Sequence, residues 1–418
     1  MKKYEQLYNI IKNMILTNQL KSGQKVPSIR KTAQIYNLSV TTVQNAYFEL
    51  CADGYIISKE KSGYFVTHIA DKAENKQIKS KAKSAKYDLT GGIADSDVFD
   101  ISLWQRYIKS ALRQKERLLS YSQPKGEYDL RCAVSEYIRE KRNVTASPDR
   151  IIIGAGVQPL LQMLCSLLDK AKSVSFPAKS FVQGIGIFKD YGFDVKIRNK
   201  DADIIYVSPS HMTRWGDVMP IKRRLELVEY SNKKGSLVIE DDYENEFLYN
   251  VRPTPSLYAL GKDNVVYMGS FSAMLIPSIR ISFMVLTNEL KELFEKEEYR
   301  YCQTASKTEQ IALCSYIRDG HINSQIRKTR RLYSAKTKKF FDLLKKAFPH
   351  NDLSISENTL QIIMKINNDI SPDTFEKHSL KILTEKKDSG ETVLIMSPAG
   401  VNQRDFDFII DLIRQCLN

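Results

Sequence analysis

Asp241 stands two residues beyond the β-branched run Leu237–Ile239 and is followed by Asp242 and Tyr243. A carboxylate at the end of a buried strand can hold a proton on a heterocyclic nitrogen, which strengthens an electron-withdrawing ring. Tyr243 is spaced to face an oxygen of the same ring. Gly156, Val157 and Gln158 follow another short apolar run and open a helix-length stretch. Small residues there let backbone N–H groups approach a phosphate at the helix N-terminus. Ser270, Ser272 and Arg280 gather around the end of a third run, and Arg280 offers a bidentate fork for an anion. Singly, each has a plainer reading: a turn cap, a surface ion pair, a glycine turn. In this order along one chain they outline a pocket for a phosphorylated ring.

The elements that must position these residues alternate along the chain. Ile151–Ile153, Ser173–Phe176, Ile204–Val207, Leu237–Ile239, Val265–Met268 and Ile281–Leu286 are short apolar runs separated by helix-length stretches. That pattern predicts βαβ units and a largely parallel sheet. From about residue 300 come long charged helices and two further strands, Leu360–Ile366 and Thr392–Ser397, which suggest a smaller α+β subdomain.

The first residues read differently. Tyr4–Leu16 places Leu7, Ile10, Ile11, Met14 and Ile15 on one helical face. Ser28 can cap a helix running Ile29 to Tyr36, Asn37 suits a left-handed stop, and Ser39 caps the next helix. Two short helices joined by a tight turn make a helix-turn-helix. Tyr55–Ser58 and Tyr64–Thr67 then form a hairpin around Lys59, Glu60, Lys61, Ser62 and Gly63, a basic wing.

Composition agrees with a basic module on a larger body. The 418 residues carry 63 Lys and Arg against 49 acids, a net charge of +14. Up to Lys86 there are fifteen basic residues against six acidic, so nine of the excess charges lie in this first fifth. A polyanionic partner follows from that asymmetry. The stretch 71–86 is polar, Lys-rich and short of large apolar side chains, and reads as a linker. Six scattered cysteines without a CxxC pair argue against disulfides and a metal site. No apolar run approaches the roughly 20 residues of a membrane span, and the N-terminus lacks a signal-peptide pattern. A cytoplasmic location, with no membrane partner, is expected.

The first segment resembles the winged-helix domain of the GntR regulators, through V-P-S-x-R, S-x-T-T-V, A-Y-x-x-L and D-G-Y-I before a glycine-bearing wing. The resemblance implies a recognition helix in the major groove of double-stranded DNA and a wing at the minor groove. Its matching positions are Arg30, Thr41 and Thr42, with Lys59, Lys61, Gly63 and Tyr64 in the wing. Ser28, Lys31 and Ser39 add hydroxyl and cationic phosphate contacts, and Gln44 and Asn45 can read adenine edges. Val40 stands where an arginine is frequent and can touch a thymine methyl, so an A·T-rich operator is expected.

The remainder looks like the fold type I aminotransferase domain of the MocR branch of that family. The likeness runs through YSQPKGEYDL, IIIGAGVQPL, VSPSH, VIEDDYENEF, YMGSFSAMLIPSIRISFMVL and DGHINSQIRKTRRLY. It implies a pyridoxal 5'-phosphate site. Phe181 aligns with the ring-stacking aromatic by a count back from Gly192, and His211 closes VSPSH. In the family motif G-[TS]-F-S-K the lysine forms the Schiff base; here the motif reads Gly269, Ser270, Phe271, Ser272, Ala273. Alanine has no amine, so the cofactor can bind only noncovalently or as an external aldimine with a free amino acid. Two explanations stand open: a deliberate Lys→Ala substitution that traps a bound state, or a natural loss. Nothing places Lys179 at the aldehyde carbon.

Two further departures bear on the ligand. The positions where relatives hold a carboxylate with arginine are Gln183 and the stretch VLIMSPAGV, which carries none. After VSPSH the run is Met212, Thr213, Arg214, Trp215; Arg214 can serve as an anion clamp and Trp215 can shape the pocket, or both are loop surface. Arg327, Arg330 and Arg331 match an Arg-rich family segment and read as a solvated helix face.

The expected architecture is therefore multidomain. Residues 1–69 form an α+β winged helix-turn-helix and 70–86 a linker. Residues 87–418 form an α/β fold type I domain, with a small α+β subdomain over about 300–418. The expected function is a DNA-binding transcriptional regulator, a homodimer that senses pyridoxal phosphate or an amino-acid-type effector without catalysing. The alternative is a pyridoxal-phosphate-dependent aminotransferase, with lysine at 273 in its wild-type form and an appended DNA-binding domain.

Overall fold

A computed structural model describes residues 2–67, 86–91, 94–95, 97–168, 172–212, 218–243, 245, 254–356, 359–367, 370–386 and 391–417. Met1–Lys83 and Ser84–Asn418 are two compact units. The expected linker, Lys86 aside, falls outside the described residues, as do Thr213, Arg214 and Trp215.

The first unit is built from α1 (Lys3–Leu16), α2 (Ile29–Ile35), α3 (Val40–Ala52), β1 (Ile56–Lys59) and β2 (Gly63–Val66). Ser28 Oγ accepts from the Lys31 N–H and Ser39 Oγ from the Thr42 N–H, which starts α2 and α3 where the sequence places caps. Asn37 takes φ 52°, the left-handed stop between them. Leu7, Ile11 and Ile15 bury against Val43, Ala46, Tyr47 and Leu50. Ile10 stays 43% exposed, because so small a core covers only an i, i+4, i+8 stripe of α1. Both wing strands lie one residue nearer the turn than the sequence reading places them, in the register it implies, with Ser58 opposite Tyr64 and Lys59 opposite Gly63. Its turn closes to Glu60–Ser62, with positive φ at Lys61 and Gly63.

The second unit begins with β3 (Tyr87–Asp88), α4 (Ile101–Leu112), α5 (Lys115–Leu118) and α6 (Tyr128–Arg142). Then follow β4 (Ile151–Gly154), α7 (Val157–Leu167), β5 (Ser173–Phe176), α8 (Val182–Asp190), β6 (Asp194–Ile197) and β7 (Ile204–Val207). Next come α9 (Ile221–Lys234), β8 (Leu237–Asp241), α10 (Leu257–Gly261), β9 (Val265–Ser270), β10 (Ser282–Val285) and α11 (Asn288–Glu297). The chain ends with α12 (Lys307–Arg318), α13 (His321–Ala347), β11 (Leu353–Ile355), β12 (Ile362–Ile366), α14 (Pro372–Lys377), β13 (Leu380–Lys381), β14 (Leu383–Lys386), β15 (Thr392–Met396) and α15 (Phe406–Leu417).

The main sheet has the order β4-β10-β9-β8-β7-β5-β6. Every pairing is parallel except those of β10, which runs antiparallel to β4 and β9. Strands β4, β5 and β7 are wholly buried; β4 and β7 read as near-continuous apolar runs, while β5 buries Ser173 and Ser175 between Val174 and Phe176. Edge strand β6 escaped the sequence reading because it is only partly buried. A second sheet, β11-β12-β15-β14, is antiparallel. Its core takes in Tyr87 and Leu89 from the start of the unit. By contrast α12 packs its Ile311, Ala312 and Leu313 into the core of the main sheet. The smaller core is thus assembled from both ends of the unit rather than from the tail alone.

Candidate ligand pocket and nucleic-acid interface

The carboxyl ends of β4, β5, β7, β8 and β9 open into a cavity of about 480 Å³, the place where open α/β sheets hold ligands. Val157, Phe181, His211, Asp241, Tyr243, Ser270 and Ser272 line it, and so do Ala273 and Met212. Gly156 adjoins it with φ 98°, and a Cβ there would stand 2.5 Å from Arg280 Nη2. Glycine thus leaves room for the guanidinium beside the first turn of α7. Among the described residues Arg280 makes no ion pair. Ser270 Oγ accepts from Ser282 Oγ and the Ser272 N–H, while Ser272 Oγ donates to the Ile279 carbonyl, which fixes both hydroxyls. Gln158 is exposed on the first turn of α7 and does not line the cavity. Lys179 does not line it either, although its neighbours Ala178 and Ser180 do. Gln183 is exposed on α8.

Three consecutive carboxylates, Glu240, Asp241 and Asp242, are buried at the end of β8. Glu240 accepts the Leu257 and Tyr258 N–H groups at the start of α10; burial, then the neighbouring Asp242, raise its pKa to about 7. Asp242 is held by Arg142 at 2.6 Å, Ser210 Oγ at 2.8 Å and Tyr267 Oη at 2.9 Å. Asp241 accepts from Tyr206 Oη, the Tyr243 N–H also lies against the carboxylate, and Oδ1 is buried without a close hydrogen-bond partner. Burial pushes the Asp241 pKa up to about 6. His211 lies edge-on to Tyr243 at 4.9 Å, with neither ring nitrogen partnered, and burial pushes its pKa down to about 4. Phe181 packs on Tyr206 at 5.4 Å, and Tyr206 on Phe176 at 4.9 Å. Tyr206 was not singled out from the sequence; the polar hydroxyl in the otherwise apolar strand IIYV is the signal that marks it.

These groups fit a phosphorylated pyridine. The orphaned Asp241 oxygen needs a donor, the aromatic pair offers a face, and the Gly156–Arg280 cradle with the fixed serines suits an anion. No lysine is among the described residues that line the cavity.

In the first unit Arg30, Lys31, Thr41, Asn45, Lys59 and Lys61 are exposed, whereas Thr42, Gln44, Gly63 and Tyr64 are half-buried. Ser28 and Ser39 are exposed yet engaged as caps, and Ser39 Oγ also bonds Thr42 Oγ1 at 2.7 Å. Tyr64 packs edge-on against Tyr47 at 5.0 Å, which ties the wing to α3. Lys25, which the sequence reading passed over, bridges to Phe65 of the wing and sets its ammonium 5.8 Å from that ring. Val40 is 50% exposed at the start of α3.

Residues 3–66 match the family described as bacterial regulatory proteins, gntR family, and residues 95–387 match aminotransferase class I and II. The uncharacterized HTH-type transcriptional regulator YdeL of Bacillus subtilis (strain 168) is 35% identical over 356 residues, covering 80% of this chain and 77% of YdeL. The chain belongs to the MocR-type GntR transcriptional regulators. The probable rhizopine catabolism regulatory protein MocR of Rhizobium meliloti is 28% identical over 393 residues, covering 85% of this MocR-type chain and 79% of its own. An archaeal alanine:glyoxylate aminotransferase superposes with a TM-score of 0.69 at 17% identity, covering 79% of this chain and 90% of that one. The second unit of this MocR-type regulator thus has the aminotransferase fold. No helix among the described residues is long and apolar enough to cross a membrane.

Proposed function

We propose that this regulator binds an operator through its winged helix and senses pyridoxal 5'-phosphate in the second unit without aminotransferase turnover. One observation carries the reading: Ala273 borders the same cavity as an Asp241 that keeps a buried acceptor free. When bound, pyridoxal phosphate supplies an electron-withdrawing ring and an aldehyde that condenses with amines. Asp241 would hold the ring nitrogen's proton and Tyr206 would keep that carboxylate oriented. Phe181 would cover the ring, and Tyr243 and His211 would face its oxygen-bearing edge. Gly156, Val157, Ser270, Ser272 and Arg280 would hold the phosphate. Ala273 gives no amine, so the protein neither tethers the ligand nor shuttles protons through a lysine.

Exposed cations on α2 and in the wing (Arg30, Lys31, Lys59 and Lys61), with the exposed Thr41 and Asn45 on α3, support DNA binding through phosphate and base contacts. Exposed Leu119 and Tyr121 beside α5 support burial of that surface in a homodimer. A small-molecule effector acts by binding one arrangement of the dimer better than another. The test combines two assays on the full chain. Operator selection should return a duplex whose affinity falls steeply with salt. Incubation with pyridoxal phosphate and a panel of amino donors should give no turnover above background. Steady transamination would overturn the reading.

A further inference from the structure

A second cavity, of about 490 Å³, adjoins the first and shares Phe176, Pro177, Tyr206 and Met212 with it. Its interior is apolar, with Ile205, Val207, Met219 and Leu227. Its charged lining is Arg198, Lys200 and Arg223 against Glu226, and Glu226 already meets Arg223 at 3.4 Å. The cationic side is anchored. Arg198 takes φ 52°, its Nε donates to the Pro177 carbonyl at 3.1 Å, and the Asn199 N–H donates to Ser175 Oγ at 2.9 Å. At the first cavity the cation is Arg280 beside Gly156, assigned above to the phosphate, whereas the second cavity has three cations of its own.

We infer that this second cavity is an effector site for a small organic anion with an apolar body, such as a medium-chain or aryl carboxylate. A volume of this size admits a compact organic molecule. Its apolar part lies against Met219 and Leu227, and its charge faces Arg198, Lys200 and Arg223. Tyr206 is a wall of both cavities, and its hydroxyl donates to Asp241. A ligand against that ring therefore alters the seat of the group bound in the first cavity. The binding step stands whatever the first cavity holds; the coupling step rests on the proposed function.

The test titrates the full chain with anilinonaphthalene sulfonate, an anionic aromatic probe, with and without pyridoxal phosphate. A single saturable fluorescent site is expected, displaced by octanoate and not by octylamine. Lys200→Ala with Arg223→Ala, and separately Met219→Trp to fill the cavity, should each weaken the probe by about tenfold. Circular dichroism identifies the variants that remain folded. Equal binding of neutral N-phenylnaphthylamine, or unchanged probe binding by a folded Met219→Trp variant, overturns the site. Octanoate should also change pyridoxal phosphate affinity, and Tyr206→Phe should reduce that change while probe binding persists. Probe binding without any effect on pyridoxal phosphate affinity overturns the coupling alone.

Discussion

Asp242 receives close donors on both carboxylate oxygens, whereas Asp241 has its Oδ1 buried without one. Burial raises the Asp241 pKa from 3.8 to about 6, so the folded state favours its protonated form. The sign follows from linkage: without ligand, this group costs stability progressively as pH rises from about 4 to 6. Asp241→Asn should therefore stabilise the ligand-free protein at pH 7.5 by up to about 3 kcal/mol, with little gain below pH 4. The same change should weaken pyridoxal phosphate binding by at least about tenfold, since a neutral amide replaces the carboxylate whose charge would hold the ring nitrogen's proton. Denaturation at the two pH values and a binding titration check both halves; a less stable Asn variant at pH 7.5 contradicts the first. His211 works in the opposite sense. Its pKa falls from 6.5 to about 4 through burial, so its contribution is present above pH 6.5 and is lost as pH falls toward 4. His211→Leu should flatten the slope of stability against pH in that window, measured by urea midpoints.

At the scale of elements, α7 begins at a glycine that no other residue replaces easily. Gly156 has φ 98° and ψ 173°, a region that is essentially glycine's alone. A Cβ would also press on Arg280. Gly156→Ala should cost about 1–3 kcal/mol of stability and, through the displaced guanidinium, lower affinity for inorganic phosphate and for the phosphorylated ligand. In the winged helix, Ser39→Ala removes the cap of α3 and should cost about 1 kcal/mol, seen as a lower thermal midpoint for the first unit. Caps, the buried strands and the βα turn were legible because local chemistry alone decides them. The ends of the wing strands, edge strand β6 and the placement of α12 were not. The first depends on a turn set by φ at Lys61 and Gly63, the second on partial burial. The third depends on a charged helix hiding Ile311, Ala312 and Leu313 on its inner face. The role of Tyr206 was not legible beyond its hydroxyl in an apolar strand, because its pairing with Asp241 joins two strands distant in sequence but adjacent in the sheet.

For the whole molecule, nine of the fourteen excess positive charges lie up to Lys86, and Tyr87 opens an apolar texture and contributes to the second unit's smaller core. Charge and chemistry are thus divided between the units: phosphate-seeking cations in one, a ring-and-anion pocket in the other. The DNA affinity should fall with salt as a straight line in logarithmic coordinates, and Lys59→Ala with Lys61→Ala should reduce that slope by about two. The central claim is that the pocket holds pyridoxal phosphate without a covalent tether. Its most direct test is a visible-absorption titration with pyridoxal phosphate on this chain, on Ala273→Lys and on Asp241→Asn. Saturable binding by this chain, weakened in the Asn variant, with a lysine-linked band only in Ala273→Lys, is the expected result. No saturable binding by this chain, and no such band in the lysine variant, would contradict the account.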